Sequence, residues 1–229
     1  MDAVSPPRVH RAEVQFWTAV EVARFLEVIR DSLYYPVFYL ALYTGMRRSE
    51  LLGLRWSDVD LFLGQLSIDR GLHVVRGGDV IFTQPKSTKS RRTVALSPAT
   101  VLMLRDHKKE VQQRYNLFGV VLTDQDFVFA HMDGTPLLPN SVSHAWIRLV
   151  RIAGVKPISF HGARHTHASL MLKQGIHPKV VQERLGHSTI AITLDTYSHV
   201  APGLQETAAR RFDEALDAAY NEGVVETVG

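Results

Sequence analysis

Residues 61–96 read LFLGQLSIDRGLHVVRGGDVIFTQPKSTKSRRTVAL, and this stretch decides the fold class of the chain. Apolar residues alternate with other residues in three short runs, at Leu66 and Ile68, at Val80 and Phe82, and at Val94 and Leu96. Glycines between the runs favour turns. Because a period of two is typical of strands, we predict a small three-stranded antiparallel sheet here.

Helical patterns flank this sheet on both sides. Upstream, Thr18 and Glu21 have the spacing of a capping box, which predicts the start of a first helix. Pro36 suits the first position of a second helix that ends near Gly45, and a third helix opens at residues 49–50. Downstream, helical spacing of apolar residues predicts helices over 98–115, 141–153, 161–173, 178–185 and 204–220. The predicted class is mainly α with a small three-stranded antiparallel β-sheet.

The sequence divides into three parts. Residues 1–13 contain Ser5-Pro6-Pro7 and precede any periodic pattern, so we predict a linker or a disordered N-terminus. Residues 14–203 hold the predicted sheet and most of the helices, and we expect them to form one folded domain. Residues 204–229 are expected to form a C-terminal helix with an acidic tail, packed on its own core or on a neighbouring protomer.

Composition narrows the class of protein. The chain has 229 residues, of which 45% are apolar and 21% charged, as in ordinary globular proteins. It contains no cysteine, which excludes disulfides and thiolate chemistry, and no apolar run long enough for a membrane span or a secretory signal. The first 211 residues carry 26 bases and 18 acids, whereas the last eighteen carry five acids and no base. A basic body suggests a polyanionic partner such as DNA.

The first candidate site is the junction Thr44-Gly45-Met46-Arg47-Arg48-Ser49-Glu50. A glycine that ends one helix just before the next exposes backbone amides, and the guanidinium forks of Arg47 and Arg48 suit phosphate or carboxylate. The alternative is a solvated helix end with a surface ion pair.

The second candidate is the run Lys86-Ser87-Thr88-Lys89-Ser90-Arg91-Arg92, in the turn predicted between the second and third strands. Its four cations without an acid suit contact with a phosphate backbone, and a lysine held there can protonate a leaving oxygen. An ordinary soluble turn is the alternative.

The third candidate is His161-Gly162-Ala163-Arg164-His165, at the start of a predicted helix. His161 and Arg164 lie three apart and share a face, where an anion is the natural partner. His161 and His165 have the spacing of a zinc-binding helix, but Gly162 stands where such a helix has glutamate, so we predict no metal site. His165 and His167 are interpreted as packing or hydrogen-bonded structural residues.

The fourth candidate is Leu185-Gly186-His187-Ser188, where His187 lies ten residues before Tyr197. One tyrosine among seven is usually a core residue or an interface anchor, so only the neighbouring motif residues can make Tyr197 a candidate for catalysis.

Taken in order, these four pieces resemble the motifs of the tyrosine recombinase family, the phage integrases with their Xer and Cre relatives. The resemblance runs from about residue 18 to residue 209. It assigns catalysis to Arg47, Lys86, His161, Arg164, His187 and Tyr197, with Glu50 as support for the first arginine. Lys89 is a rival for Lys86, since such hairpins vary in length. Further DNA contacts are expected from Arg48, Lys89, Arg91 and Arg92.

Two features depart from the family pattern. Ala163 stands where the family usually has leucine, at what looks like a packing position. An arm-binding domain and a helical core-binding domain, which family members tend to carry before the catalytic part, are not recognised. We therefore expect residues 14–203 to be an isolated or truncated tyrosine recombinase catalytic domain.

The resemblance implies a site-specific DNA recombinase that works through a covalent 3′-phosphotyrosyl intermediate, without metal, ATP or another cofactor. The two arginines and His187 would neutralise the phosphate. His161 would take the proton of Tyr197, and Lys86 would protonate the departing 5′ oxygen.

The expected partner is double-stranded DNA. The resemblance implies a homo-tetramer on DNA and a bacterial, phage or mobile-element origin, and we expect a monomer when free. Since no membrane span or secretory signal is recognised, we also expect a cytoplasmic protein with no membrane contact. Two alternatives remain: a type IB topoisomerase, and a recombinase-like DNA-binding domain without activity. The DNA target, and the choice between integration, excision and dimer resolution, stay open.

Overall fold

The computed structural model describes residues 15–84, 91–197 and 204–226. The predicted linker at 1–13 and the two lysines Lys86 and Lys89 lie outside the described residues. The helices are α1 (Ala19–Val28), α2 (Tyr35–Thr44), α3 (Arg48–Leu52), α4 (Pro98–Leu117), α5 (Pro139–Ala153), α6 (Phe160–Lys173), α7 (Pro178–Leu185), α8 (Ile190–Tyr197) and α9 (Leu204–Glu226). The strands are β1 (Val59–Asp60), β2 (Gln65–Ile68), β3 (Gly71–Val74), β4 (Val80–Thr83) and β5 (Arg92–Ala95), and a 3₁₀ turn covers Trp56–Asp58.

The helices begin and end at the residues whose local chemistry predicts it. Thr18 Oγ1 accepts from the backbone N–H of Glu21, and the Glu21 carboxylate accepts from the N–H of Thr18, which completes the capping box of α1. α2 ends at Gly45, which has φ of 65° and so adopts the left-handed conformation that glycine tolerates best. The predicted helices are confirmed, whereas α8 was not predicted as a helix.

The predicted runs of alternating residues are all strands, but they belong to two small sheets. β2 pairs antiparallel with β5, with Leu66 opposite Val94, and β1 completes a three-stranded sheet. β4 instead pairs with β3, which was not predicted, in a two-stranded sheet. A tight turn at residues 75–79 joins β3 to β4 locally. The fold class is confirmed, but the three-stranded sheet contains β1 in place of the predicted β4. Alternation of apolar residues predicts a strand, but it does not predict which strand pairs with it.

An aromatic core holds α1, α2, α5 and α6 together. Trp17 stacks on Trp146 with ring centroids 5.1 Å apart, and Phe38 meets Trp146 edge to face at 5.1 Å. Phe25 and Phe160 close the cluster around the same ring. Each of these buried rings contributes roughly 1.5–3 kcal/mol through its apolar surface. This core fixes α6, the helix that carries His161 and Arg164.

A smaller apolar cluster joins α6, α7 and α8. It consists of Ala168, Leu172, Val181, Leu185 and Tyr197, all buried. Tyr197 is thus a core residue of this cluster as well as the predicted nucleophile. The packing of α8 against α6 and α7 therefore determines where its hydroxyl lies.

α9 has the opposite character. Its apolar side chains Phe212, Leu216 and Tyr220 are exposed, so they do not pack on the core of this chain. None of the helices in the described ranges combines the length and the apolar character that crossing a membrane requires.

Candidate active site

The C-terminal end of α7 gathers three arginines from distant parts of the chain. The helix ends at Gly186, with φ of 67°, so its last carbonyl groups have no partner within the helix. Three successive carbonyls accept from three guanidinium groups: Arg184 O from Arg92 Nε at 2.8 Å, Leu185 O from Arg164 Nη2 at 2.8 Å, and Gly186 O from Arg47 Nη2 at 3.2 Å. Cations are favoured at this end of a helix by its dipole.

Arg164 is held from two sides. Its Nη1 donates to the carbonyl of Gly45 at 2.8 Å, at the end of α2, and its Nη2 donates to Leu185. The side chain is buried, with 3% exposed. Burial, with the charges of Arg47 and Arg92, lowers the pKa of Arg164 to about 9, so the group remains positive at neutral pH. Its orientation is thus set by neutral carbonyls before any ligand binds.

Glu50 is the carboxylate shared by the other two arginines. Its Oε1 accepts from Arg47 Nη1 at 2.7 Å, and its two oxygens accept from Arg92 Nη1 and Nη2 at 3.0 and 2.8 Å. Burial alone would raise the pKa of Glu50, but the hydrogen bonds and charges of Arg92 and Arg47 outweigh it and hold the pKa below its usual value. We call Arg47, Arg92, Arg164 and Glu50 the arginine cluster.

Gly186 allows this cluster to close. A Cβ atom at Gly186 would lie 2.8 Å from Arg92 Nη1, and its positive φ would strain any other residue. The glycine of the Gly-His pair therefore has a steric role, since the guanidinium of Arg92 passes directly over its backbone.

His187 follows this glycine and is oriented by α8. Its Nδ1 lies 2.9 Å from Oγ1 of Thr193, a fully buried residue of α8. Burial, with the charges of Arg164, Arg47 and Arg92, lowers the pKa of His187 to about 3, so the ring is neutral. When Thr193 donates to Nδ1, the ring proton lies on Nε2, which can donate to a phosphate oxygen.

His161 lies at the edge of an open cavity of about 680 Å³. Arg47, Arg48, Ser159 and Ile147 line the same cavity. His161 is exposed, while Arg164, three residues later on α6, is buried behind it. The structure therefore places His161 and Arg47 of the arginine cluster at the same cavity, while Arg164 is buried.

Tyr197 is buried, with 2% of its surface exposed. Its Oη lies 2.7 Å from Nδ1 of His165. Burial raises the pKa of Tyr197 to about 12, although Arg164 acts in the opposite direction. We expected His161 to take the proton of this phenol, but the hydrogen-bond partner in the structure is His165, one helical turn further along α6.

The Phage integrase family matches residues 15–203 of this sequence, most of the chain. The chain belongs to the phage integrase family. Its fold class and the order of its motifs agree with that membership.

Curated relatives of this integrase-family chain are named as integrases and tyrosine recombinases. The ICEBs1 integrase of Bacillus subtilis (strain 168) is 29% identical over 208 residues, which cover 90% of this chain and 56% of that protein. A tyrosine recombinase XerC-like protein of Caldanaerobacter subterraneus subsp. tengcongensis is 28% identical over 221 residues, with coverage of 92% and 56%. The chain thus spans about half the length of these relatives.

A solved structure shows the same fold. The Tn1549 transposon integrase, residues 82–397, in complex with circular intermediate DNA, superposes with a TM-score of 0.74 at 23% identity. The match covers 89% of this chain and 68% of that one. The likeness establishes the integrase catalytic-domain fold for this chain.

The residues predicted to contact DNA occupy different environments in this integrase fold. Arg48 donates to the carbonyl of Pro139 and to Ser143 Oγ at the cavity edge. Arg91 is exposed and donates to Gln84 Oε1 at 2.6 Å. The side chain of Arg92 is 6% exposed and paired with Glu50, so it belongs to the arginine cluster, and its contact with DNA stays a prediction. Lys86 and Lys89 lie outside the described residues.

Sequence reasoning missed two residues of the candidate site. Thr193 orients His187, and His165 contacts the predicted nucleophile. Thr193 precedes Tyr197 by four residues, so a helix predicted over 190–197 would have put both on one face. No comparable signal exists for the pairing of Arg92 with Glu50, because it joins β5 to α3 through the tertiary fold.

Proposed function

We propose that this chain is the catalytic domain of a site-specific DNA recombinase, which cleaves and rejoins DNA strands through a covalent 3′-phosphotyrosyl intermediate. One observation carries the proposal: the arginine cluster sets three guanidinium groups against a single carboxylate, next to the helix that bears Tyr197. Such a cluster has an excess of positive charge, and a phosphodiester supplies the missing anion.

The arrangement suits the transition state of phosphoryl transfer. As a nucleophile attacks a phosphodiester, negative charge grows on the non-bridging oxygens. A guanidinium has five N–H donors, so Arg164 can anchor to two carbonyls and still donate to those oxygens. Because the anchors fix its orientation before DNA binds, little reorganisation is needed during reaction. Arg47 and the Nε2–H of His187 complete the set of donors.

The reaction itself exchanges one ester for another. Tyr197 Oη attacks the phosphorus, the bond to the 5′ oxygen breaks, and the phosphate stays on the enzyme as a 3′-phosphotyrosine. Lys86 is the proposed donor of the proton to the departing 5′ oxygen, with Lys89 as its rival. Attack by a 5′-hydroxyl of a partner strand reverses these steps, so the energy of the ester is conserved and neither metal nor ATP is consumed.

Recombination of two duplexes cuts four strands, and one site cuts one strand. We therefore propose a homo-tetramer on double-stranded DNA that forms from free monomers, in the cytoplasm, where bacterial DNA is found. Relatives named as integrases and the Tn1549 integrase complex with DNA support a DNA substrate. The exposed apolar side chains of α9 are available for contact with a neighbouring protomer.

The test is covalent capture. The 229-residue chain is incubated with a library of nicked duplexes of randomised core sequence, in which the nick lets the 5′ product diffuse away. Adducts that survive denaturing electrophoresis are sequenced to define an enriched duplex. We expect an adduct with wild type and none with Tyr197→Phe, whose melting temperature should match that of wild type.

Other outcomes separate the alternatives. Binding of the library without an adduct would contradict the proposal and favour a DNA-binding domain without activity. Relaxation of supercoiled plasmid without joint products would favour a type IB topoisomerase.

A further inference from the structure

The phenol of Tyr197 has a specific partner that the motif residues do not include. His165 Nδ1 lies 2.7 Å from Tyr197 Oη, a normal length for a hydrogen bond to a hydroxyl. The rings are tilted at 57°, with centroids 5.7 Å apart. The contact joins the middle of α6 to the end of α8, so it depends on the packing of these two helices in the apolar cluster.

The neighbouring histidine has a different position. His161 and His165 lie four residues apart on α6, and their rings meet edge to face with centroids 4.7 Å apart. His161 is exposed at the cavity, whereas His165 is partly buried between His161 and Tyr197. The two rings thus form a short path from the cavity to the phenol, in which His165 is the inner member.

The charges around the contact determine which group holds the proton at rest. Burial, with the charges of His161 and Arg164, lowers the pKa of His165 to about 4, while burial raises the pKa of Tyr197 to about 12. The free protein therefore has a neutral imidazole and a protonated phenol. In the tautomer with the ring proton on Nε2, the phenol donates the hydrogen bond and Nδ1 accepts it, so the geometry for proton transfer exists before DNA binds.

We propose that His165 is a further catalytic residue, which accepts the proton of Tyr197 as the phenolic oxygen attacks the phosphorus. The inference rests on the proposed function. The Oη–H bond breaks, the Nδ1–H bond forms, the Oη–P bond forms, and the bond from phosphorus to the 5′ oxygen breaks. The proton for the 5′ oxygen comes from a separate donor, and religation returns the Nδ1 proton to Tyr197.

DNA binding favours this transfer. The free site disfavours an imidazolium mainly because the ring is partly buried, and also because His161 and Arg164 are nearby. A bound phosphodiester brings a negative charge beside Arg164, which offsets that repulsion and stabilises the protonated ring. Proton transfer is therefore coupled to the presence of the substrate. His161, at the cavity edge, is left to contact the phosphate.

The key variant is His165→Asn. An asparagine amide oxygen can occupy the place of Nδ1 and accept the phenolic hydrogen bond, but it is not basic enough to take the proton. His165→Ala removes both properties. The matched control is His131→Gln, at an exposed histidine in the turn that contains Gly134. Thermal unfolding of each variant shows whether it folds as wild type does.

Cleavage is measured as adduct formation on the enriched nicked duplex. We expect the cleavage rate of His165→Asn to be roughly 100-fold or more below that of wild type, which is the range of general base catalysis. The cleavage rate of His131→Gln should equal that of wild type. The same rates are then measured with Tyr197 replaced by difluorotyrosine, whose phenol is more acidic. In the difluorotyrosine protein, the fold-decrease in cleavage rate caused by His165→Asn should be at least about tenfold smaller, since a phenol of lower pKa depends less on a base.

A third substrate separates the two proton transfers. A duplex with sulfur in place of the bridging 5′ oxygen has a leaving group that needs no proton. We expect this duplex to restore little activity to His165→Asn, because the missing step is at the nucleophile. Restoration to the rate of wild type would overturn the proposal and place His165 on the leaving-group side.

Two further results would also overturn the proposal that His165 accepts the proton of Tyr197. If His165→Asn cleaves as wild type while His165→Ala does not, the residue only holds the phenol in place. If His165→Ala cleaves faster than wild type, the contact restrains the nucleophile. Failure of the proposed function looks different, because wild type itself would then form no adduct and the inference would fall with it.

Discussion

The arginine cluster and helix α8 lie side by side but are held by different kinds of interaction. In the cluster, guanidinium groups are anchored by a buried carboxylate and by carbonyls at the ends of α2 and α7. On α8, Thr193 and Tyr197 each hydrogen-bond to one neutral histidine, and Tyr197 packs in the apolar cluster. The arginine cluster is therefore held by many contacts, whereas Tyr197, the proposed nucleophile, is held by helix packing and one hydrogen bond.

The largest effect should come from breaking the buried charge of the cluster. Glu50→Gln leaves the guanidinium of Arg92 buried without its carboxylate, which should cost about 3 kcal/mol in the free energy of unfolding. Denaturant titration measures the loss. Glu27→Gln is the matched control, because the pair of Glu27 with Arg30 is exposed and should contribute less than about 1 kcal/mol.

The buried carboxylate of Glu50 also predicts that the stability of the folded chain depends on pH. The pKa of Glu50 is lower in the folded chain than in an unfolded one, so its stabilisation is present above the ordinary pKa of glutamate. It is lost as the pH falls through the lower pKa of the folded state. The stability difference between wild type and Glu50→Gln should therefore narrow on acidification, and a constant difference would show that the charge of Glu50 is not the cause.

Arg164→Lys tests the carbonyl anchors. A lysine ammonium cannot hold the carbonyls of Gly45 and Leu185 while presenting a planar fork to phosphate. Cleavage of the enriched duplex should fall about 100-fold or more, as when an oxyanion donor is lost. Filter binding should show nearly unchanged affinity for DNA, and Arg30→Lys should cleave as wild type does. An unchanged rate for Arg164→Lys would remove this residue from the site.

Thr193→Val should have a smaller effect, since it removes one neutral hydrogen bond on α8. Valine keeps the volume of the buried threonine but cannot orient His187. Loss of about 1 kcal/mol corresponds to a roughly fivefold slower cleavage. Single-turnover adduct formation measures it. A decrease in cleavage rate as large as that of Arg164→Lys would show that contacts on α8 matter as much for cleavage as those of the arginine cluster.

The smallest effect should be found on α9. Phe212 is exposed, so Phe212→Ser should change the stability of the free chain by less than about 0.5 kcal/mol. Thermal unfolding of the free protein checks this. A larger loss would show that the helix packs on its own core and belongs to the same cooperative unit as the active site.

Local sequence chemistry predicted much of this molecule. The capping box at Thr18, the end of α2 at Gly45 and the start of α6 near His161 depend on residues within one or two turns of each other, so they can be recognised without a fold. The spacing of His161 and Arg164 likewise puts both on one face of α6. The sheets were harder, because a strand pattern does not name the strand that pairs with it.

The sequence by itself determined the fold class and most helix boundaries, because these follow from periodicity, capping and short spacings, and the set of motif residues came from the resemblance to a known family. Only the tertiary structure decided which groups meet: Arg92 with Glu50, the carbonyls at the end of α7 with three arginines, and Tyr197 with His165. These contacts join residues up to 139 positions apart. Their geometry depends on how helices pack, and side-chain packing is a property of the whole core rather than of any local stretch.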